Sequence, residues 1–272
     1  MQSSDIGKIP VIDTDKQADV DRWCLNPSQP GGGLVRPLGA DGMEGYGYAG
    51  VANPFPQNLL ISRNDIADVV REAEKQKSDL RSLIEAKKIP YKNQQRTNYC
   101  WIFAVVHALE LQRVQQNLPY ASLSPASGGA RIKNFRNVGG WGREAIEFIA
   151  EHGVCSSKTW PDAVIDRRYD TAASRQEAQS YTATDWYYAP PRNKDYLFSA
   201  LCRRMPCPVG YNWWGHEVLG IQGVILDNEL CLLIRNSWSQ WGVNGFGILR
   251  GSRMIPDDLV MLAGAKASLA QD

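Results

Sequence analysis

The sequence predicts an α+β fold in which a helical half packs against an antiparallel β-sheet. Two observations indicate this. Apolar residues recur at helical spacing up to His152, whereas short runs with the period of strands follow Pro206. Helices that come first in the chain and strands that come second form two packed layers, and residues of both can meet at the seam between them.

Two helices are expected in the first part. Residues 61–90 contain a helical apolar period, which Ser62 opens as part of a capping box and Pro90 ends. A second helix begins near Cys100, with Asn98 as its predicted N-cap. It is apolar on nearly all sides, which is typical of a buried central helix.

A third helix and four strands complete the predicted elements. The helix covers residues 142–152 and stops at Gly153. The expected strands are Val209–Tyr211, Glu217–Leu226, Leu230–Asn236 and Phe246–Arg250, with a tight turn at Asp227–Asn228.

Residues 1–60 differ from the rest. They are rich in Gly and Pro, include three consecutive glycines at Gly31–Gly33, and have no long apolar period. Such a segment buries little of its own surface, so it is either disordered or laid against something else, and Trp23 favours the second option. We therefore divide the chain into an extended arm over 1–60, a helix and linker over 61–90, and a domain over 91–272, whose helical half covers about 91–185 and whose β half about 186–265.

Charge and hydropathy exclude several classes of function. The net charge of +1 gives no electrostatic case for nucleic acid or an acidic membrane surface. No apolar stretch is long enough to cross a bilayer, and the first residues have no pattern of a signal peptide. We expect a cytoplasmic or virion-associated protein without a secretion signal.

The six cysteines do not predict a disulfide framework, since their spacing is sparse and a chain of 272 residues can hold a core without one. No Cys/His spacing fits zinc, so neither a metal nor another cofactor is expected. We expect five of the six to be buried thiols. Cys100 is the exception.

Cys100 lies in the first turn of the central helix, where unpaired N–H groups and the helix dipole favour the thiolate. Only three histidines could activate it. His107 is roughly 10 Å away along the same helix at about 1.5 Å per residue, and His152 suits a helix end. His216 opens a strand and can face Cys100 across the seam, with Asn236 at the end of the neighbouring strand.

Four blocks of this sequence resemble papain and the cathepsins. They are Lys92-Asn93-Gln94 with Cys100-Trp101-Ile102-Phe103-Ala104, Asn137-Val138-Gly139-Gly140-Trp141, Gly215-His216-Glu217-Val218-Leu219-Gly220, and Ile234-Arg235-Asn236-Ser237-Trp238 with Trp241-Gly242-Val243-Asn244-Gly245-Phe246. They occur in the family's order and cover about residues 88–255. The resemblance implies a papain-like fold with its active site at the seam.

It also implies a role for each matching residue. Cys100 would be the nucleophile, His216 the general base and then acid, Asn236 the residue that orients His216, and Gln94 an oxyanion-hole donor. Trp238 would shield the His–Asn bond, and Gly139 and Gly140 would bind the backbone of a polypeptide substrate. The implied reaction is hydrolysis of peptide bonds through a thioester acyl-enzyme, without a metal.

The match has departures. Thr97 stands where the family has a cysteine, so its common disulfide cannot form there. Glu217 follows the base, where it could raise the pKa of His216 or block the cleft. The first 90 residues do not resemble the inhibitory propeptide, and the shortened region is similar to forms from bacteria and their viruses.

Two alternatives stay open. The fold could serve as a structural component of a virion or another large assembly, with residues 1–60 as a strap on an assembly partner. A transglutaminase-like acyl transferase also uses Cys and His at such a seam, although the Asn-Ser-Trp motif and Gln94 argue against it.

Overall fold

A seven-stranded sheet is the centre of the computed structural model, which describes residues 7–25, 33–35 and 53–267. The strands lie in the order β1-β6-β5-β4-β3-β7-β2, and every pair is antiparallel except β1 with β6. Their bounds are β1 Val11–Asp13, β2 Ala183–Tyr188, β3 Cys207–Tyr211, β4 His216–Leu226, β5 Glu229–Arg235, β6 Phe246–Arg250 and β7 Asp258–Ala265.

The four expected strands are β3 to β6. The turn between β4 and β5 has φ of 49° at Asp227 and 63° at Asn228, the left-handed values that a two-residue hairpin turn needs at both positions. The expected antiparallel sheet is confirmed, and the short β1 adds a parallel edge to it. β1, β2 and β7 were not predicted, and β1 is too short at three residues for its alternation to stand out.

Helices cover both faces of this sheet. They are α1 Gln17–Trp23, α2 Ile66–Gln76, α3 Leu80–Lys87, α4 Cys100–Gln115, α5 Pro125–Ile132, α6 Gly142–His152, α7 Ala172–Ala178 and α8 Lys194–Cys202. Every residue of α4 from Cys100 to Val114 is buried, as expected of a central helix. α6 has the predicted bounds, and Gly153 ends it with φ of 67°.

The region 61–90 holds two helices rather than one. Lys77 ends α2 in the left-handed conformation, and the Asp79 side chain accepts a hydrogen bond from the Ser82 N–H at 2.7 Å to begin α3. The predicted caps were also wrong. Asp65 and Tyr99 occupy the N-cap positions of α2 and α4, and neither side chain makes a capping bond.

The described parts of residues 1–60 pack on the same chain. β1 pairs with β6, and the Trp241 Nε1–H donates to the Trp23 carbonyl at 2.7 Å while the two rings meet edge to face. Phe55 is buried, and the Phe55 N–H donates to the Tyr188 carbonyl at 3.0 Å. The domain boundaries proposed above stay predictions.

Three features are absent from the part of the chain that the structure describes. None of its helices combines the length and the apolar character that crossing a membrane requires. It contains no group of three or more His, Cys, Asp or Glu side chains placed to hold a metal ion. All six cysteines lie within it, and each is a free thiol.

Candidate active site

Cys100 is the first residue of α4 and is fully buried. Burial raises the pKa of its thiol to about 12, and the charge of Glu217 adds to this increase. The backbone N–H groups of Glu217, Gly33 and Trp101 reach the sulfur and act in the opposite direction. The site therefore holds donors for a thiolate, although the protonated thiol is the stable form in this structure.

His216 and Asn236 come together because β4 begins at His216 and Asn236 directly follows β5, the antiparallel neighbour of β4. The His216 Nε2 lies 2.8 Å from the Asn236 Oδ1, and that oxygen also accepts the Ser237 N–H at 2.7 Å. An amide oxygen only accepts, so the proton of a neutral His216 is on Nε2 and the lone pair is on Nδ1.

The Nδ1 of His216 is buried and has no hydrogen-bond partner among the described residues. Burial lowers the pKa of His216 to about 4, and the bond to Asn236 acts in the opposite direction. The expectation that Glu217 could raise this pKa was wrong. His216 is therefore a neutral base whose accepting nitrogen is unused in this structure.

Two tryptophans enclose His216. The Trp238 ring lies 4.3 Å from the imidazole between centroids, and the Trp214 ring lies 5.0 Å from it. Both indoles are buried, so they shield the His216–Asn236 bond from water. The resemblance implies this shielding role for Trp238, whereas sequence reasoning assigned no role to Trp214.

Gln94 is held by the residue after Asn236. The Ser237 hydroxyl donates to the Gln94 Oε1 at 2.7 Å, and the Gln94 N–H donates to the Ser237 carbonyl at 2.8 Å. The amide is thereby oriented with its Nε2 toward the loop before Cys100, where it donates to the Thr97 carbonyl at 2.8 Å. Sequence reasoning missed this role of Ser237, although the residue lies within the Asn-Ser-Trp motif.

The loop between Gln94 and Cys100 is fastened by Asn137. The Asn137 Oδ1 accepts the Asn98 N–H at 2.7 Å, and the Asn137 Nδ2 donates to the Arg96 carbonyl at 3.1 Å. The Asn98 side chain returns a bond to the Asn137 carbonyl at 3.2 Å. These three bonds join the loop to the segment around Asn137 without a covalent link, and the loop includes Thr97, which stands where the family has a cysteine.

Comparison with known proteins gives the family context of this geometry. No protein-family model matches the chain. A curated cathepsin L 2 of Paramecium tetraurelia is 30% identical over 189 residues, which are 61% of this chain and 57% of the relative. Cysteine proteinase 2 of Entamoeba histolytica is 23% identical and covers 60% of each chain. The chain thus spans less than two thirds of the length of these relatives.

Solved structures of two other proteins superpose on this chain. Procathepsin L 3 of Tenebrio molitor superposes with a TM-score of 0.55 at 20% identity, over 64% of this chain and 66% of that one. Xylellain, a cysteine protease from Xylella fastidiosa, gives 0.53 at 20% identity, over 65% and 83%. This protein has the papain-like fold. In sequence the chain is similar to curated cathepsins and a cysteine proteinase, as the sequence blocks predicted.

The papain-like cleft is occupied by the chain's own residues 33–35. The Gly140 N–H donates to the Gly33 carbonyl at 3.0 Å, and the Val35 N–H donates to the Gly140 carbonyl at 2.8 Å, which pairs Leu34 with Gly140 in parallel. The Leu34 N–H donates to the Gly215 carbonyl at 3.0 Å. Gly140 thus binds an extended backbone, as the resemblance implies for a substrate, but that backbone is part of this protein.

Gly33 lies directly over Cys100. A Cβ placed on it would be 3.0 Å from the Cys100 sulfur and would collide with the Asn98 carbonyl oxygen. Gly139 lies close to Gly33, since a Cβ on Gly139 would be 2.5 Å from the Gly33 carbonyl oxygen. Only glycine on both sides permits this approach.

Glu217 does not fill the cleft. Its carboxylate lies against Gly142, where an added Cβ would overlap the Glu217 Oε1. Gly142 is the first residue of α6, and the positive end of a helix stabilises a carboxylate. Glu217 therefore acts on the site through its charge, which raises the pKa of Cys100 after the larger effect of burial.

Proposed function

We propose that this protein is a cysteine peptidase in which Cys100, His216 and Asn236 form the catalytic triad. The observation that carries the proposal is the 2.8 Å contact between the His216 Nε2 and the Asn236 Oδ1, which leaves the Nδ1 of a buried imidazole as the acceptor on a strand beside Cys100. The curated relatives are named as cathepsins and a cysteine proteinase, in agreement with this activity.

The chemistry follows from these positions. The Cys100 thiol transfers its proton to the His216 Nδ1, and the thiolate attacks the carbonyl carbon of a peptide bond. The Cys100 N–H and the Gln94 Nε2 stabilise the resulting oxyanion. His216 then protonates the leaving amine, and the C–N bond breaks to give a thioester. A water molecule deprotonated by His216 attacks the thioester, which releases the acid and restores the Cys100 thiol.

The structure corresponds to a latent form under this proposal. Residues 33–35 cover Cys100, and the buried thiol and imidazole are both neutral. Displacement of these residues would admit water, which removes the desolvation that opposes charge on each group. The thiolate–imidazolium pair would then become accessible, so hydrolysis requires residues 33–35 to leave the cleft.

The alternative of a virion component gains no support. The relatives are named as peptidases, and the described residues before residue 60 contact the chain itself. The strap and its assembly partner therefore stay outside the proposed function.

Hydrolysis of unfolded, fluorescently labelled casein by a Gly33→Leu variant tests the activity, since a side chain at this position cannot remain over Cys100. We expect turnover that is lost by about three orders of magnitude or more when Cys100→Ala is added, and reduced by about one to two orders when Asn236→Ala is added. Turnover that survives Cys100→Ala would refute the triad. The triad would also be refuted if reagents alkylated Cys100 freely in a folded variant and that variant still did not hydrolyse casein.

A further inference from the structure

A cavity of about 510 Å³ lies next to Arg235, the residue that precedes Asn236. Its walls are mainly apolar and include Ile84, Ile89, Tyr91 and Phe246, and Asn244 and Arg235 are also among the lining residues. It shares no lining residue with the catalytic site described above. The cavity is therefore separate from the papain-like cleft, although Arg235 and Asn236 are consecutive.

Arg235 is only 4% exposed, yet all its hydrogen-bond acceptors are neutral. The Nε donates to the Asn244 carbonyl at 3.3 Å and the Nη2 to the Ile89 carbonyl at 2.9 Å. The Nη1 lies 3.2 Å from the His107 Nε2 and donates to it, because a guanidinium has no acceptor. These contacts use three of the five N–H groups.

No carboxylate lies within ion-pair distance of Arg235 among the residues that the structure describes. The carboxylate whose charge favours the charged form of Arg235 is that of Glu110, whose Oε1 lies 2.8 Å from the Lys92 Nζ and accepts the Leu123 N–H at 2.7 Å. Lys92 also pairs with Asp162 at 3.1 Å, so Glu110 makes its ion pair with Lys92 and acts on Arg235 only without direct contact. A buried cation without its own counterion is costly, and it is normally paired or bound to an anion.

The groups in direct contact with Arg235 carry no negative charge. Burial lowers the pKa of Arg235 to about 10, and burial, with the charges of Arg235 and Lys92, holds the pKa of His107 well below its usual range. His107 therefore stays neutral and adds no charge of either sign. The guanidinium instead packs over the Phe246 ring, 4.9 Å from its centroid. An anion in the cavity would meet the charged guanidinium of Arg235, which has two N–H groups left to donate, beside the aromatic ring of Phe246.

We propose that this cavity binds a small organic carboxylate, with its carboxylate group on the Arg235 guanidinium and an apolar body against Ile84, Ile89 and Phe246. A carboxylate matches the planar fork of arginine, which can bind it with two parallel hydrogen bonds. The apolar walls favour a ligand with an aryl or alkyl body over an inorganic anion. Lys88 at the rim adds a second positive charge, while Glu85 at the rim is paired with Arg81 at 2.8 Å.

The site is joined to the catalytic residues through the backbone. The Asn236 N–H donates to the Gly245 carbonyl at 2.8 Å, and Gly245 follows Asn244, which accepts the Arg235 Nε–H. An occupant would thus contact a loop that also positions Asn236. The binding proposal itself does not depend on peptidase activity, so its test uses binding alone.

The test compares 4-fluorobenzoate with 4-fluorobenzamide, which has nearly the same shape without the charge, by ¹⁹F NMR titration of the full chain. Isoleucine methyl-labelled protein reports where each ligand binds. We expect benzoate to bind roughly tenfold or more tightly than the amide, with methyl shifts at Ile84 and Ile89. Arg235→Met should abolish this preference, whereas Arg113→Met, at another buried arginine outside the cavity, should keep it.

The wild-type protein decides the question even if Arg235→Met does not fold. Equal affinity for benzoate and benzamide would overturn the proposal. Methyl shifts confined to isoleucines other than Ile84 and Ile89 would also overturn it, as would the absence of any shift up to the solubility limit of benzoate.

Discussion

At the scale of single residues, the site depends on side chains that orient other side chains. Asn236 fixes the tautomer of His216, and Ser237 fixes the amide of Gln94. The sequence predicted the first pair, because nucleophile, base and orienter have distinctive chemistry in a recognisable order. It did not predict the second, because a serine hydroxyl has many possible partners and only the fold brings Ser237 and Gln94, 143 positions apart, into contact.

Ser237→Ala should lower kcat of a cleft-open variant about tenfold while KM stays nearly unchanged. The buried Gln94 Oε1 would lose its donor, at a cost of about 1 to 3 kcal/mol, and the Nε2 would no longer be aimed at the oxyanion. Steady-state kinetics in the Gly33→Leu background measure both constants. Ser237→Thr retains the hydroxyl and should restore most of kcat. An equal loss in Ser237→Thr, or a change in KM alone, would contradict a positioning role.

At the scale of elements, the segment of residues 33–35 was the least predictable part of the site. The run of glycines and Trp23 indicated that the first sixty residues lie against something, and β1, α1 and Trp23 pack on the chain's own sheet. The placement of Gly33 could not be predicted, because backbone hydrogen bonds to Gly140 and Gly215 leave no side-chain pattern in the sequence. The division of residues 61–90 into α2 and α3 was missed for a related reason, since Lys77 adopts a left-handed conformation that lysine does not signal.

Gly33→Leu should increase the rate at which iodoacetamide alkylates Cys100 by about tenfold or more. The added side chain collides with the Asn98 carbonyl, so the hydrogen bonds that hold residues 33–35, each of about 1 kcal/mol, cannot all form. Mass spectrometry after timed quenching measures alkylation at Cys100. Gly7→Leu is the matched control, since a Cβ there meets nothing within 4 Å. Equal rates in both variants would show that residues 33–35 do not protect the thiol.

At the scale of the whole molecule, the order of helices and strands was sufficient to predict an α+β architecture with the site at a seam. The full sheet was not predictable, because its two edge strands, β1 and β2, are far from the central hairpin in sequence. Burial of the seam has an electrostatic consequence for the whole fold. His216 is neutral at its centre, and burial lowers its pKa to about 4 from the ordinary histidine value of 6.5.

Stability should therefore fall as the pH decreases from 6.5 to about 4, because the unfolded state binds a proton at His216 that the folded state excludes. This group alone accounts for up to ~3 kcal/mol of unfolding free energy, which is fully present above pH 6.5. Urea unfolding across this range measures it. His216→Gln removes the titrating group, so the unfolding free energy of this variant should change less between pH 6.5 and about pH 4. Parallel loss of stability in both proteins would mean that other groups cause the pH dependence.

The double attachment of residues 33–35 has a kinetic consequence. These residues are joined on one side to α1 and β1, which are anchored on β6, and on the other side to Phe55, which is anchored on Tyr188. A ligand tethered at both ends competes with any incoming molecule at an effective concentration on the order of millimolar. A single chain break on either side leaves one tether in place. Release of the cleft by cleavage should thus require two cuts, and the progress curve of activation should begin with a lag.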